Sequence, residues 1–360
     1  MVSIEKAKNQ LDMIIKKARV DLYKPIQIAE VLRRSRIEKD IIIEDLISYK
    51  NPSLKWRDTI TSKLLGKTSS SSARYQHDIW NDNAMPPNIL KILDDENKKT
   101  GGVVEKYIYM RFMHRQGMIS KIVALVEDVQ PSELDLDSIF KQFIAAPGLR
   151  RSVDKAYEVV TYSILDTITS TLETTITVQV PNTNIEMVKE FSKLSQVLLG
   201  LDADNLQRTF PAKIYRVGVT NAADRGLDMW GNFGIAIQVK HLTLNDKLAS
   251  EIVDQIEIEA DNIIIVCQNA ESSAIETLVK QISWGTRVRG IIQEKELIEL
   301  YEKCLRGKFA DKLAKPLHDC LINSFKAEFP QVGGIVDFIE RRGYADIKSP
   351  DMWHIQEEDD

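Results

Sequence analysis

Asp228, Gln238 and Lys240 are the residues whose types and spacing could do chemistry together. They lie in GLDMWGNFGIAIQVKHL, residues 226–242. Read as a strand, 235–242 alternates its side chains, so Ile235, Ile237 and Val239 point one way and Ala236, Gln238 and Lys240 the other. Gln238 and Lys240 then stand about 6–7 Å apart, two residues of strand rise. Gly226, Gly231 and Gly234 permit a tight reversal. A bent hairpin of GLDM with GIAIQVKHL therefore brings Asp228 to the same edge. The Asp228 carboxylate, the Gln238 amide oxygen and the Val239 carbonyl are hard oxygen ligands, suited to a cation such as magnesium (Mg2+). Such an ion polarises a phosphate and lowers the pKa of a bound water. Lys240 can orient or deprotonate the attacking water and offset developing charge. The chemistry is phosphodiester hydrolysis. Glu158, on a preceding helix, and Asp224, in a loop over the hairpin, are the further carboxylates that could serve the ion.

The elements that must position these residues follow from periodicity. Residues 1–145 read as mainly helical, with apolar spacing near 3.6 in IEKAKNQLDMIIKKARV, PIQIAEVLRRSR, IIIEDLISYK, KWRDTITSKLLG and GVVEKYIYMRFMHRQGMISKIVALVEDV. Residues 146–310 alternate. SVDKAYEVVTYSILDTITSTL, NIEMVKEFSKLSQVLLG, NDKLASEIVDQ, AESSAIETLVKQIS and EKELIELYEKCLRGK are helical, whereas ETTITVQV, AKIYRVGVT, GIAIQVKHL, NIIIVC and RVRGII are extended. Residues 311–360 are helix-prone and end in the acidic QEEDD. The pattern predicts an α/β fold with a mostly helical N-terminal region. It divides into a DNA-recognition part (1–145), a catalytic domain (146–310) and a C-terminal segment (311–360).

Composition narrows the function. The 360 residues are 43% hydrophobic and 28% charged, ordinary for a globular protein. No apolar run is long enough for a membrane span, and the N-terminus reads as an amphipathic helix without a signal-peptide pattern. Cys267, Cys304 and Cys320 are few and dispersed. A reduced, cytoplasmic protein is expected. The net charge of −5 conceals an asymmetry. Residues 1–120 hold 22 Lys and Arg against 15 Asp and Glu, and the remainder 26 against 38. That surplus allows a nucleic-acid surface in the N-terminal third. The GKT at 66–68 lacks the glycine a phosphate loop needs five positions earlier, where Thr61 stands, so no ATP chemistry is indicated. Its reading is a helix C-cap entering a Ser-rich turn. The five histidines are scattered, with no HExxH or Cys/His cluster.

The hairpin resembles the PD-(D/E)XK nuclease core, in which an acid on one strand and an acid-x-Lys pair on the next form a metal site. More closely, YRVGVTNAADRGLDMWGNFGIAIQVKHL, with DLYKPIQIAEVL, GVVEKYIYMRF and LRGKF, resembles the HaeII family of type II restriction endonucleases over about residues 5–345. The resemblance implies a central mixed sheet flanked by helices. It also implies magnesium-dependent double-strand cleavage at a short, GC-rich, roughly palindromic DNA site, with purine-GCGC-pyrimidine suggested. Asp228, Gln238 and Lys240 match the nuclease motif position by position. Leu227 replaces the usual proline. Gln238 replaces the usual acid, which removes one negative charge and makes Glu158 and Asp224 the obvious compensators.

Double-stranded DNA is the expected partner, and a two-fold homodimer is the simplest reader of a palindrome. Arg33, Arg34 and Arg36, after a short helix, are expected at phosphates or base edges, with Lys67 and Arg74 against the DNA backbone. Two alternatives share much of this reading. A repair or junction nuclease of the same superfamily would cut by structure. A non-catalytic DNA-binding protein would bind without cutting.

Overall fold

The structure is a computed structural model and describes residues 3–69, 77–146, 148–217, 227–248, 251, 262–275, 288–330 and 332–355. These form two compact units, one drawn from residues 1–157 and 322–360, the other from 158–218 and 224–321.

The first unit is helical. α1 (Ile4–Lys17), α2 (Tyr23–Arg33), α3 (Pro52–Leu65), α4 (Pro87–Lys99), α5 (Val103–Asp128) and α6 (Leu136–Ala145) make up its N-terminal part. α1 shows why such sequences become helices here. Ser3 caps its start by accepting from the Lys6 N–H at 3.2 Å, and Ala7, Leu11, Ile14 and Ile15 form one buried face. α3 starts on Pro52 and stops where Gly66 adopts φ 68°, so the GKT segment begins at a helix C-cap. The segment IIIEDLISYK is not a helix as its periodicity predicts. It forms turns and a single 3₁₀ turn at Leu46–Ser48, because the Asp45 side chain accepts from the Ile47 N–H at 3.1 Å and competes with helical pairing. From residue 322 on, the C-terminal segment groups with this unit. Phe338, Ile339, Tyr344 and Trp353 are buried in the same core as α1, α2 and α5, and the Phe338 ring lies 4.8 Å from that of Tyr109.

The second unit is α/β. Residues of α7 (Val153–Thr171) fall on both sides of the division. β1 (Thr175–Gln179) pairs antiparallel with β2 (Gln207–Pro211) as a separate two-stranded ribbon, and between them run α8 (Ile185–Glu190) and α9 (Ser192–Leu199). A five-stranded mixed sheet follows in the order β3-β4-β5-β6-β7, comprising β3 (Ile214–Arg216), β4 (Met229–Gly231), β5 (Ile235–Leu244), β6 (Asn262–Ala270) and β7 (Val288–Gln293). β3, β4 and β5 are antiparallel neighbours, while β6 and β7 run parallel to β5. Ala236, Ile263, Ile265 and Cys267 form a buried cluster with Leu227, Leu244, Ala274 and Val288. α10 (Glu294–Arg306) starts directly from β7, fixed by a reciprocal capping box between Gln293 and Glu296. Residues of α11 (Ala310–Glu328), like those of α7, fall on both sides of the division. No helix among the described residues is long and apolar enough to cross a membrane.

Candidate active site

The β4–β5 hairpin depends on two glycines. Gly234 takes φ 85°, and a Cβ on Gly231 would meet Ile235 Cγ1 at 2.7 Å. The resulting register pairs Met229 with Ile237 and Trp230 with Ala236. Asp228 lies one residue before β4 and departs from regular pairing. Its N–H also turns to the Ile237 carbonyl, at 3.2 Å, so two consecutive residues face one, as in a β-bulge. The bulge re-aims the side chain, and Asp228 Oδ2 accepts from the Val239 N–H at 2.7 Å. The carboxylate is thereby seated on the peptide that joins Gln238 to Val239. A strand residue's N–H and C=O share an edge, so the Val239 carbonyl opens on the Asp228 side.

Gln238 is 4% exposed, and its Oε1 is buried without a hydrogen-bond partner among the described residues. Such a group costs about 1–3 kcal/mol unless something binds it. An orphaned amide oxygen beside a carboxylate and a free-edge carbonyl fits a hard cation. Among the described residues no three His, Cys, Asp or Glu side chains cluster as a metal site. Lys240 is half-buried and forms no salt bridge among the described residues. Its register partner on β6 is Cys267. Burial first, and then the Glu296 carboxylate, pushes that thiol up to about 11. It stays neutral, so no thiolate competes for the ammonium.

Glu158, on α7, is 3% exposed and accepts from Arg216 Nε at 3.3 Å and Nη2 at 3.1 Å. Arg216 pairs with Met229, which pairs with Ile237. Its side chain is therefore on the sheet face opposite Gln238 and Lys240. Asp224 and Arg74 lie outside the described residues. Among the expected DNA contacts, Arg33 is 3.8 Å from Glu38. Arg34 bonds both Asp40 oxygens at 2.9 Å and lies 5.0 Å over the Trp56 ring. Arg36 grips buried Glu105 bidentately, at 2.8 and 2.9 Å. Lys67 reaches Asp21 at 3.2 Å and donates to the Glu328 carbonyl at 3.0 Å. Each of these four has an internal partner, and Arg36 is an anchor of the helical core.

One feature escaped the sequence reading. The Tyr215 and Trp230 rings stack with centroids 4.7 Å apart and planes at 20°, yet are 40% and 42% exposed. Trp230 faces Ala236 across the hairpin and so shares the face of Gln238 and Lys240. The available signal was an aromatic residue two positions beyond Asp228.

The family model described as HaeII restriction endonuclease matches residues 7–344. The chain is 45% identical over 338 residues to the type II restriction enzyme HaeII of Haemophilus aegyptius, covering 94% of this chain and 95% of that protein. It is 43% identical over 347 residues to the type II restriction enzyme NgoBI of Neisseria gonorrhoeae, covering 94% and 97%. No solved structure matches.

Proposed function

Because the chain belongs to the HaeII restriction endonuclease family, we propose that the Asp228–Gln238–Lys240 edge is its hydrolytic site, making magnesium-dependent double-strand breaks at a short, GC-rich, roughly palindromic DNA sequence. The chain is a type II restriction enzyme, a site-specific deoxyribonuclease. Purine-GCGC-pyrimidine is the sequence the family resemblance suggests. The observation that carries the site assignment is the buried, partnerless oxygen of Gln238 beside a carboxylate seated on the same strand. An antiparallel hairpin bearing these residues, followed by two parallel strands, supports a PD-(D/E)XK-type core.

Asp228 Oδ2 is held by the Val239 N–H, which fixes the carboxylate's orientation. Asp228, the Gln238 amide oxygen and the Val239 carbonyl would hold the ion, which would supply Lewis acidity at the scissile phosphate. Lys240 orients the attacking water and balances charge building on the phosphate. Because Gln238 is neutral, a further carboxylate is expected to contribute. Asp224 is the better placed in sequence, since Glu158 is already paired with Arg216. The stacked Tyr215–Trp230 pair offers the DNA an aromatic surface next to the reacting phosphate. Quenching of emission on adding DNA, absent in Trp230→Phe, tests that contact. A two-fold homodimer places one site on each strand.

The deciding experiment is digestion of plasmid DNA with magnesium, followed by sequencing of the ends. Discrete fragments sharing one six-base palindrome are expected. Cutting only at junctions or flaps would establish the structure-specific alternative, and binding without cutting the non-catalytic one.

A further inference from the structure

Residues 172–211 are built inside out. The ribbon β1–β2 has two strands, and neither contributes a buried residue. Across 172–211 the buried apolar side chains are Val188 and Leu201. The large apolar residues face water instead. Met187 is 63% exposed, Phe191 56%, Leu194 58%, Val197 79% and Leu198 72%. Residues 187, 191, 194 and 198 are spaced four, three and four apart, which makes one continuous stripe along α8 and α9. A concavity of about 440 Å³ opens on this stripe, lined by Glu190, Phe191, Ser192, Lys193, Leu194 and Val197. A two-stranded ribbon is marginal in water without something to pack on, and contiguous apolar patches of this kind mark interaction surfaces.

We propose that this arm is the surface through which two copies of the chain associate, α8–α9 of one protomer packing on α8–α9 of its partner across a two-fold axis. The inference rests on the reading of the protein as a nuclease that cuts both strands of a palindrome. Three observations favour a second copy over other occupants. The stripe carries no arginine and an equal number of acids and lysines (Glu186, Glu190, Lys189 and Lys193), which does not suit a DNA backbone. Those charges alternate along the helices, so an antiparallel pair places each lysine opposite an acid, and a two-fold contact must be self-complementary in this way. Phe191, Leu194 and Val197 line the concavity itself, so the apolar floor to be covered lies on the same helices that would cover it in a two-fold pair.

The test uses the full-length chain. Light scattering after size exclusion is expected to give twice the 41.0 kDa chain mass for the parent. The double variant Leu194→Glu, Val197→Glu should give half the parent's mass. The parent should convert supercoiled plasmid directly to linear, whereas the variant should accumulate nicked circles. As a check that does not depend on the variant folding, single cysteines at Leu194, Val197 and Leu198 are treated with a short bis-maleimide. At least one should trap a covalent dimer that the parent does not form. A parent that stays monomeric with and without DNA, a double variant that stays dimeric, or three cysteine variants that fail to cross-link would each overturn the inference. Binding of the stripe to phosphatidylcholine vesicles by a monomeric parent would overturn it in favour of a lipid surface. The nuclease reading fails separately: a dimeric parent that loses its dimer in the variant but never cuts DNA leaves the interface standing and removes the activity.

Discussion

Glu105 of the helical unit and Gln238 of the sheet unit are buried to a similar depth and bonded to opposite degrees. Glu105 Oε1 accepts from Arg36 Nε at 2.8 Å and Asn97 Nδ2 at 2.7 Å, and Oε2 from Arg36 Nη2 at 2.9 Å and the Tyr344 hydroxyl at 2.7 Å. A carboxylate has about four lone-pair sites, and here all are filled. Burial, followed by the charge of Glu105, pushes the Tyr344 phenol up, so it remains a donor at every physiological pH. Glu30 repeats the pattern with Tyr109 and Arg342. Gln238 is left with an amide oxygen that no described residue bonds. The saturated carboxylates tie helices together, whereas the Gln238 oxygen is a standing cost of about 1–3 kcal/mol that a bound cation would remove.

The comparison breaks most visibly if the open site is disabled. Asp228→Ala and Lys240→Ala should each lower cleavage by roughly 10²–10⁴-fold, with melting temperatures close to the parent's. Plasmid cleavage rates check this, and parental rates in either variant would remove the residue from the site. Closing down the saturated network should act the other way. Glu105→Ala strands Arg36 and Tyr344 and should cost about 3–5 kcal/mol in urea unfolding, while molecules that remain folded still cut. A loss under about 1 kcal/mol would show that the four bonds are not cooperative.

Gln238 itself sharpens the contrast. Gln238→Met keeps the volume and removes the orphaned oxygen, so stability should rise by about 1 kcal/mol while most cleavage disappears. Gln238→Glu should retain activity and reach half-maximal rate at lower magnesium. If Gln238→Met cuts at the parental rate, the polar end of the strand is structural. The smallest expected effect is at Lys67. Burial raises the Asp21 carboxyl above its ordinary value, opposed chiefly by Lys67. A folded-state pKa above the unfolded one means that ionised Asp21 opposes folding, and removing Lys67 raises it further. Lys67→Ala should therefore lose about 1 kcal/mol at neutral pH, a loss that disappears as pH falls through the folded-state pKa of Asp21, above its ordinary 3.8. A loss that does not change with pH would contradict the pairing.

The local signals were legible in the sequence. Apolar spacing anticipated helices that the structure places at Val103–Asp128 and Glu294–Arg306, and GIAIQVKHL and the short apolar run NIIIVC anticipated strands that it places at Ile235–Leu244 and Asn262–Ala270. The glycines of the hairpin announced the reversal that carries Asp228 back to β5. At Leu46–Ser48 the local signal misled, because one aspartate side chain outweighed helical periodicity.

By itself, the sequence determined the mixed composition of helix and strand, the basic surplus of the first 120 residues, and the residues that share a face with Gln238, since period and alternation are properties of neighbours along the chain. Which polar groups are saturated only the tertiary structure decided. Arg36 meets Glu105 from 69 positions away, Arg342 meets Glu30 from 312, and Arg216 meets Glu158 from 58. A charge read along the chain carries no record of what folds against it. The same holds for the apolar stripe of α8 and α9, whose spacing is that of a core helix. Among the described residues of its own unit, none covers it.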